Sequence, residues 1–574
     1  MYQAGWSKQD LDIPARGYAM HGYGMWQHRA RGQRTPLFAR ALYLRDDAGG
    51  ELFFCCFDMG YVTHAMREGV LARLRAALGA DFDEARLVLT CTHTHSGPGG
   101  CTHDVLYNVV TPGFRPDHLE KVVTAAATAL LAARASAAAT ELELRAGVLP
   151  PAVEVAWNRS LRAYNRNPDV EPRPDTETHL ALDRGMSVLG LRREGRLCAL
   201  LSLFGVHATC LGNSLQLHDG DNKGYAAAHA EQVLAEAGAE GAVAIFAQAT
   251  AGDVSPHYHG PGDKARRRAL RGEAEYAYAM NNGRRQAEFA LELLAGQGAT
   301  PVSGALDAIF TYADFTTQQA APEYAGGHPD AVTSEPCHGV AFFTGTPVDG
   351  PGMPGVLGQG ARLLSRRVKA GRLKKIDSLP AAEQQRLRRL YAAQGPKDVL
   401  LEAGSKLILG QPIGALPLPG FADPLVGELK RQAARGAIRD SALVPTVLPL
   451  QIVRLGALAL VCCPGEFTTT AGRRLRETVG AQLAGHGVTQ VLICTYCNEY
   501  MGYVTTYEEY QEQAYEGGHT VFGQWTLAAF QTCFAALARE LVKPAAARAH
   551  DRRTRPLPPP ADELARRSNL AAPR

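Results

Sequence analysis

Residues 87–100 read Leu-Val-Leu-Thr-Cys-Thr-His-Thr-His-Ser-Gly-Pro-Gly-Gly. An apolar run of strand type gives way to two histidines and then to a Gly/Pro turn. The same sequence of events recurs three times. Leu200–Phe204 runs into Gly205-Val-His207, Ala244–Ala247 into Gly252-Asp253-Val-Ser255-Pro256, and Leu458–Val461 into Cys463-Pro-Gly-Glu466. In open α/β sheets, ligands bind beyond the carboxyl ends of strands. Four such junctions in one chain predict a shared site. Residues so far apart can converge only inside one large α/β domain, with mixed β-sheets and helices packed outside.

The intervening sequence supports that class. Phe38–Leu44 and Leu52–Phe57 flank Asp46-Asp-Ala-Gly-Gly50 and predict a hairpin, as do Met186–Arg192 and Leu197–Phe204 around Glu194-Gly195. Thr63 precedes a helical pattern from His64 to Leu78, with Gly79 as its stop. A long Ala/Leu helix is expected from Pro116 to about Ala139. Further strands are expected at Ala242–Ala247, at Gln451–Cys463 with a break at Gly456, and at Val491–Thr495. Residues 362–394 predict charged, solvated helix broken at Pro380.

Composition bounds the possibilities. The 574 residues are 46% apolar and 20% charged, which excludes disordered and collagenous classes. Sixty Lys and Arg against 57 Asp and Glu argue against nucleic-acid binding. No window has the ~20 apolar residues of a transmembrane helix. The first twelve residues lack the basic and apolar regions of a signal peptide, so a cytoplasmic location is expected. Several of the twelve cysteines, Cys55, Cys56, Cys198, Cys462 and Cys463, sit in apolar runs and read as buried hydrophobes; Cys494-Thr-Tyr-Cys497 has no second CxxC beside it. From Pro544 the chain is basic and proline-rich. Residues 1–543 are therefore expected to form the domain, and 544–574 a tail that is disordered or laid on the surface.

Each chemically capable residue has a plain alternative. His93 and His95, one residue apart, would project to the same side of an extended segment and suit a metal. Taken alone they are as readily core or surface histidines. His207 ends an apolar strand and reads locally as a satisfied core histidine. Glu466 follows Leu-Val-Cys-Cys-Pro-Gly and needs a partner: either a cation, or the amino terminus of the helix from Thr468. Ser255 sits in a tight turn without the GxSxG elbow of α/β-hydrolases. Residues 496–515 hold six of the twenty tyrosines, which suits a polar ligand or an aromatic-walled pocket.

Several motifs, in order, resemble one known family: Thr92-His-Thr-His-Ser-Gly-Pro-Gly-Gly100, Asn158-Arg-Ser160, Gly220-Asp-Asn-Lys-Gly-Tyr225, Gly252-Asp-Val-Ser-Pro256, Pro464-Gly-Glu466 with Ala471-Gly-Arg-Arg-Leu-Arg476, and Gly502-Tyr-Val-Thr-Thr506. Together they resemble the neutral/alkaline ceramidases over about residues 10–540. The resemblance implies a zinc amidohydrolase that cleaves the N-acyl amide of ceramide or a related lipid. It implies His93, His207, Glu466 and Tyr503 as zinc ligands, with Tyr500 as the alternative to Tyr503. It implies Ser255 as the essential serine, and His95, Arg159 and Tyr515 as residues lining the reacting amide. The family's C-terminal immunoglobulin-like domain is not expected here. The same amidase chemistry on a soluble N-acyl amine stays open, as does a zinc-binding protein without activity.

Overall fold

The computed structural model describes residues 1–109, 113–260, 263–350, 352–416 and 424–569, with the side chains of 424 and 425 left aside. Nine strands form the larger sheet: β1 (Tyr2–Asp10), β2 (Phe38–Arg45), β3 (Glu51–Phe57), β4 (Leu87–Cys91), β5 (Ala138–Val148), β6 (Gly185–Arg193), β7 (Arg196–Leu203), β8 (Val243–Ala247) and β9 (Thr300–Val302). Their order is β8-β7-β6-β5-β1-β2-β3-β4, with β9 also on β5. The outermost pairs, β7/β8 and β3/β4, are parallel, and the interior pairs are antiparallel. A second sheet has the order β10 (Leu306–Asp314), β11 (Val447–Leu455), β12 (Leu458–Cys462), β13 (Gln490–Cys494), and its last pair is also parallel.

Strict alternation builds four layers. In β3, Phe53, Cys55 and Phe57 face the helices His64–Leu78 and Pro116–Ala135, while Phe54 and Cys56 face the second sheet. In β12, Leu458, Leu460 and Cys462 meet the large sheet, while Ala459 and Val461 face the helices Thr469–Leu483 and Thr526–Leu541. Helices Asp221–Glu236 and Glu273–Ala295 cover the other half of the large sheet. Both sheets are thus buried on both faces, which explains their near-continuous apolar runs. The arrangement is helix–sheet–sheet–helix, the α/β class expected.

Local signals decide the ends. Thr63 caps its helix by accepting from the Met66 N–H at 3.2 Å, and Gly79 ends it at φ +119°. Both predicted hairpins form, and Gly456 separates β11 from β12. The Ala-rich helix stops at Ala135, four residues before the expected end, because Ala138 and Ala139 pair with Ala4 and Gln3 as the start of β5. All twelve cysteines are free.

The tail does not leave the body through Asn569. Arg548 pairs with Asp307, and Arg555 with Glu84 at 2.6 Å. A short helix, Ala561–Arg567, follows. Its Glu563 accepts from the backbone N–H groups of Asp440 and Ser441 at 2.8 and 2.9 Å. Among the described residues no helix is long and apolar enough to cross a membrane.

Candidate active site

Short backbone ladders bring the distant junctions together. Glu466 pairs directly with Tyr503 in a two-residue parallel ladder. Ser255 pairs with Trp157 in a two-residue antiparallel ladder, and the Arg159 N–H donates to the Asp253 carbonyl at 2.9 Å. A bridge joins Thr94 to Ala208, and the His207 N–H donates to the Val254 carbonyl at 3.1 Å. Gly252 lets the serine turn approach the Glu466 strand: a Cβ there would lie 2.9 Å from the Glu466 carbonyl oxygen.

His93 does not lie in an extended segment. Its φ is +63°, so the His93–His95 pair turns on a left-handed residue. The two imidazoles still meet, with Nε2 to Nε2 at 3.1 Å. His207 joins them, and one ring nitrogen from each of the three lies within 4.8 Å of the others, a group that could hold a metal ion.

Backbone carbonyls fix the tautomers. His93 Nδ1 faces the Gly60 carbonyl at 2.6 Å, and His207 Nδ1 faces the Val254 carbonyl at 3.0 Å. Each carbonyl accepts, so each Nδ1 carries the proton and each Nε2 of the neutral ring is bare. Those bare nitrogens point at a carboxylate: His93 Nε2 lies 3.4 Å from Glu466 Oε1, and His207 Nε2 lies 2.9 Å from Oε2. Tyr503 Oη stands 3.2 Å from His207 Nε2. A proton or a metal ion shared between ring nitrogen and carboxylate satisfies these contacts, and Tyr503 and His95 can also donate to the two nitrogens. Two imidazoles, a carboxylate and a phenol are a donor set that suits zinc.

Burial raises the Glu466 carboxyl pKa, but a proton on His93 or His207 more than reverses this and, with the Tyr500 hydrogen bond, holds it well below the usual range. Burial lowers His93 to about 4, only partly countered by Glu466, so the ring is neutral. Burial and Glu466 push the Tyr503 phenol well above 10, against the pull of Arg159.

Glu466 does not cap the following helix. Thr468 does so, its hydroxyl accepting from the Ala471 N–H at 3.4 Å, which frees the carboxylate to face the histidines. Tyr500 and Tyr496 donate to that carboxylate at 2.5 and 3.1 Å. Tyr500 thus braces Glu466, whereas Tyr503 faces the open side of His207.

On the far side of Tyr503 lies Ser255. Its Oγ donates to Asp349 Oδ1 at 2.6 Å and accepts from the N–H groups of His257 and Tyr258 at 2.9 and 3.1 Å. Arg159 ties the halves together. It donates to Asp349 (3.0 Å), Glu516 (2.9 Å), the Gly252 carbonyl (2.8 Å) and Tyr503 Oη (3.0 Å). Of the eight residues carried from the motifs, only His95 and Tyr515 keep partial exposure, so they stand at the mouth. Tyr23 packs edge-on against His95 at 4.7 Å, and Phe342 against Tyr515 at 5.6 Å.

The comparisons agree with this arrangement. The model of the neutral/alkaline non-lysosomal ceramidase family, N-terminal, matches residues 2–412 and 433–532. The chain belongs to the neutral/alkaline ceramidase family. The neutral ceramidase of Pseudomonas aeruginosa is 33% identical over 94% of this chain and 72% of that protein. The neutral ceramidase of Mycobacterium tuberculosis is also 33% identical, over 94% of this chain and 77% of its own. A solved structure described as a ceramidase complexed with C2 superposes with a TM-score of 0.75 at 31% identity, covering 94% of this chain and 75% of the other. Family membership makes the chain a hydrolase.

Two residues of this buried cluster, Asp349 and Glu516, carried no signal in the motifs. Asp349 comes from Thr346-Pro-Val-Asp-Gly350, where Thr346 Oγ1 accepts from the N–H groups of Asp349 and Gly350 and turns the loop inward. Glu516 follows Tyr515 and accepts from Arg159 and from Ser160 Oγ. A lone acid in a Gly/Pro loop was the only available clue to Asp349.

Proposed function

We propose that the protein hydrolyses the N-acyl amide of ceramide to a fatty acid and the sphingoid amine, using zinc held by His93, His207, Glu466 and Tyr503. The observation that carries this reading is His207 Nε2, a bare acceptor 2.9 Å from a Glu466 oxygen inside a buried site. When bound, zinc supplies a Lewis acid that polarises a carbonyl and acidifies water.

The chain's own groups do the rest. Asp349 is held below the ordinary carboxylate range: burial raises it, but Arg159, the Ser255 hydrogen bond and the nearby histidines together outweigh burial. It remains an acceptor, so the Ser255 hydroxyl keeps its proton aimed at Oδ1, and the lone pair that attacks the amide carbonyl is released by one of the two N–H groups that donate to Oγ. The His257 and Tyr258 N–H groups hold negative charge on Oγ as that proton passes to Asp349. Arg159 fixes Asp349 and the Tyr503 oxygen relative to one another. His95, kept neutral by burial and by its histidine neighbours, stands with the Tyr515 hydroxyl where an oxyanion would form. The aromatic rings of Tyr23, Phe342 and Tyr515 give the mouth an apolar wall suited to an acyl chain.

The test is release of fatty acid and amine from N-acylsphingosine by zinc-loaded, chelator-stripped and Ser255→Ala protein. Zinc-dependent turnover that the substitution abolishes supports both substrate and serine. No turnover by folded, zinc-loaded protein removes ceramide and turns the search to soluble N-acyl amides.

A further inference from the structure

The helix Gly355–Lys374 is unlike the others. Only Gly358 and Ser365 of it are buried. Among the described residues ten large apolar side chains stand exposed, and half of them belong to this one helix: Val356, Leu357, Leu363, Leu364 and Leu373. At about 100° per residue, the first four fall within an arc of roughly 120°, directly opposite Gly358 and Ser365. Val356 is 86% exposed and Leu363 59%. The other exposed apolar residues, such as Val148, Met280 and Leu557, are isolated in sequence.

Charge follows the same division. Residues 355–375 contain seven Lys and Arg and no Asp or Glu. The inward ones serve the fold: Arg362 and Arg366 pair with Asp398, Arg372 with Glu402, and Lys369 donates to the Gly395 carbonyl. Arg367 and Lys374 continue the outward apolar stripe, and neither has a carboxylate partner among the described residues. The stripe is therefore leucine-rich in its first half and cationic in its second. An apolar face flanked by basic residues is complementary to the interface of an anionic bilayer.

Position adds to the case. The helix begins six residues after Asp349, so Gly355 lies within about 21 Å of the residue that holds Ser255. A Cβ on Gly358 would lie 2.9 Å from the Thr344 methyl, two residues along the chain from Phe342, whose ring packs on Tyr515. We propose that this helix is a docking surface for an anionic membrane, seating the mouth of the site against the bilayer that holds the lipid substrate. The proposal rests on the ceramide reading for its purpose, but binding can be measured without turnover.

The experiment is co-sedimentation of the full chain with vesicles of phosphatidylcholine alone and with added phosphatidylserine. Leu363→Glu/Leu364→Glu, Arg367→Glu, Lys374→Glu and the control Met280→Glu are compared, with thermal midpoints checking the fold. Wild type and Met280→Glu should bind the anionic vesicles. Each charge reversal should weaken binding about fivefold, and the double leucine variant should abolish it. Equal binding by all variants, or no binding by the wild type, overturns the proposal. So does concentration-dependent dimerisation that the leucine variant abolishes while vesicle binding persists, since a second copy would then be the occupant. Vesicle binding that depends on the helix, without ceramide turnover, removes the functional reading and leaves the docking surface standing.

Discussion

On one side of Tyr503 stand His93, His207 and Glu466; on the other stand Arg159, Asp349, Glu516 and Ser255. Both groups are buried, yet they are balanced differently. The second is complete in itself, because Arg159 answers two carboxylates and each of its three guanidinium nitrogens has an acceptor. The first is incomplete, because its bare ring nitrogens face a carboxylate. A buried network with all partners in place can be rigid without help. One whose ring nitrogens face a carboxylate can take a metal ion as a further member.

The largest expected effect is on the incomplete half. Stripping the metal, or His93→Ala, should lower turnover about 10⁴-fold, consistent with several kcal/mol from a Lewis acid. Metal content measured alongside turnover should fall in step, and activity that survives metal loss breaks the contrast. Next comes Arg159→Met, which leaves Asp349 and Glu516 buried without their cation. It should cost about 3–5 kcal/mol of stability in denaturant unfolding. A cost near zero would mean that the second half is not held by its internal ion pairs. Asp349→Asn is milder: its amide oxygen can still accept the Ser255 hydrogen bond but cannot take the proton, and kcat should fall about 10²-fold with KM nearly unchanged. The smallest effect belongs to the scaffold. Thr468→Ala removes a helix cap beside Glu466 and should cost about 1 kcal/mol, read as a lowered denaturation midpoint.

The two halves also differed in how readily they could be read from residues alone. The strand-to-polar junctions pointed to His93, His207, Ser255 and Glu466 because strand ends concentrate chemistry, and the alternation in β3 and β12 made the layers plain. Thr63 and Gly79 marked their helix because capping is local. Three other features are set by tertiary contacts that no local pattern carries. The Glu466 carboxylate had two equally good local uses, and only the capping hydroxyl of Thr468 decides between them. His93 adopts φ +63°, which the HxH spacing conceals. Asp349 reaches Ser255 from a loop 94 residues away. The tail is held by Glu563, whose backbone partners at 440 and 441 cannot be inferred from a proline-rich composition.

The two-residue ladder between Glu466 and Tyr503 has a consequence for how the protein comes into being. His93 is made early, and the histidines acquire Glu466 and Tyr503 as neighbours only after about four hundred further residues have followed. A chain halted before Tyr503 holds imidazoles but not the full cluster. The cluster closes in one step, after the strands of both sheets have been made.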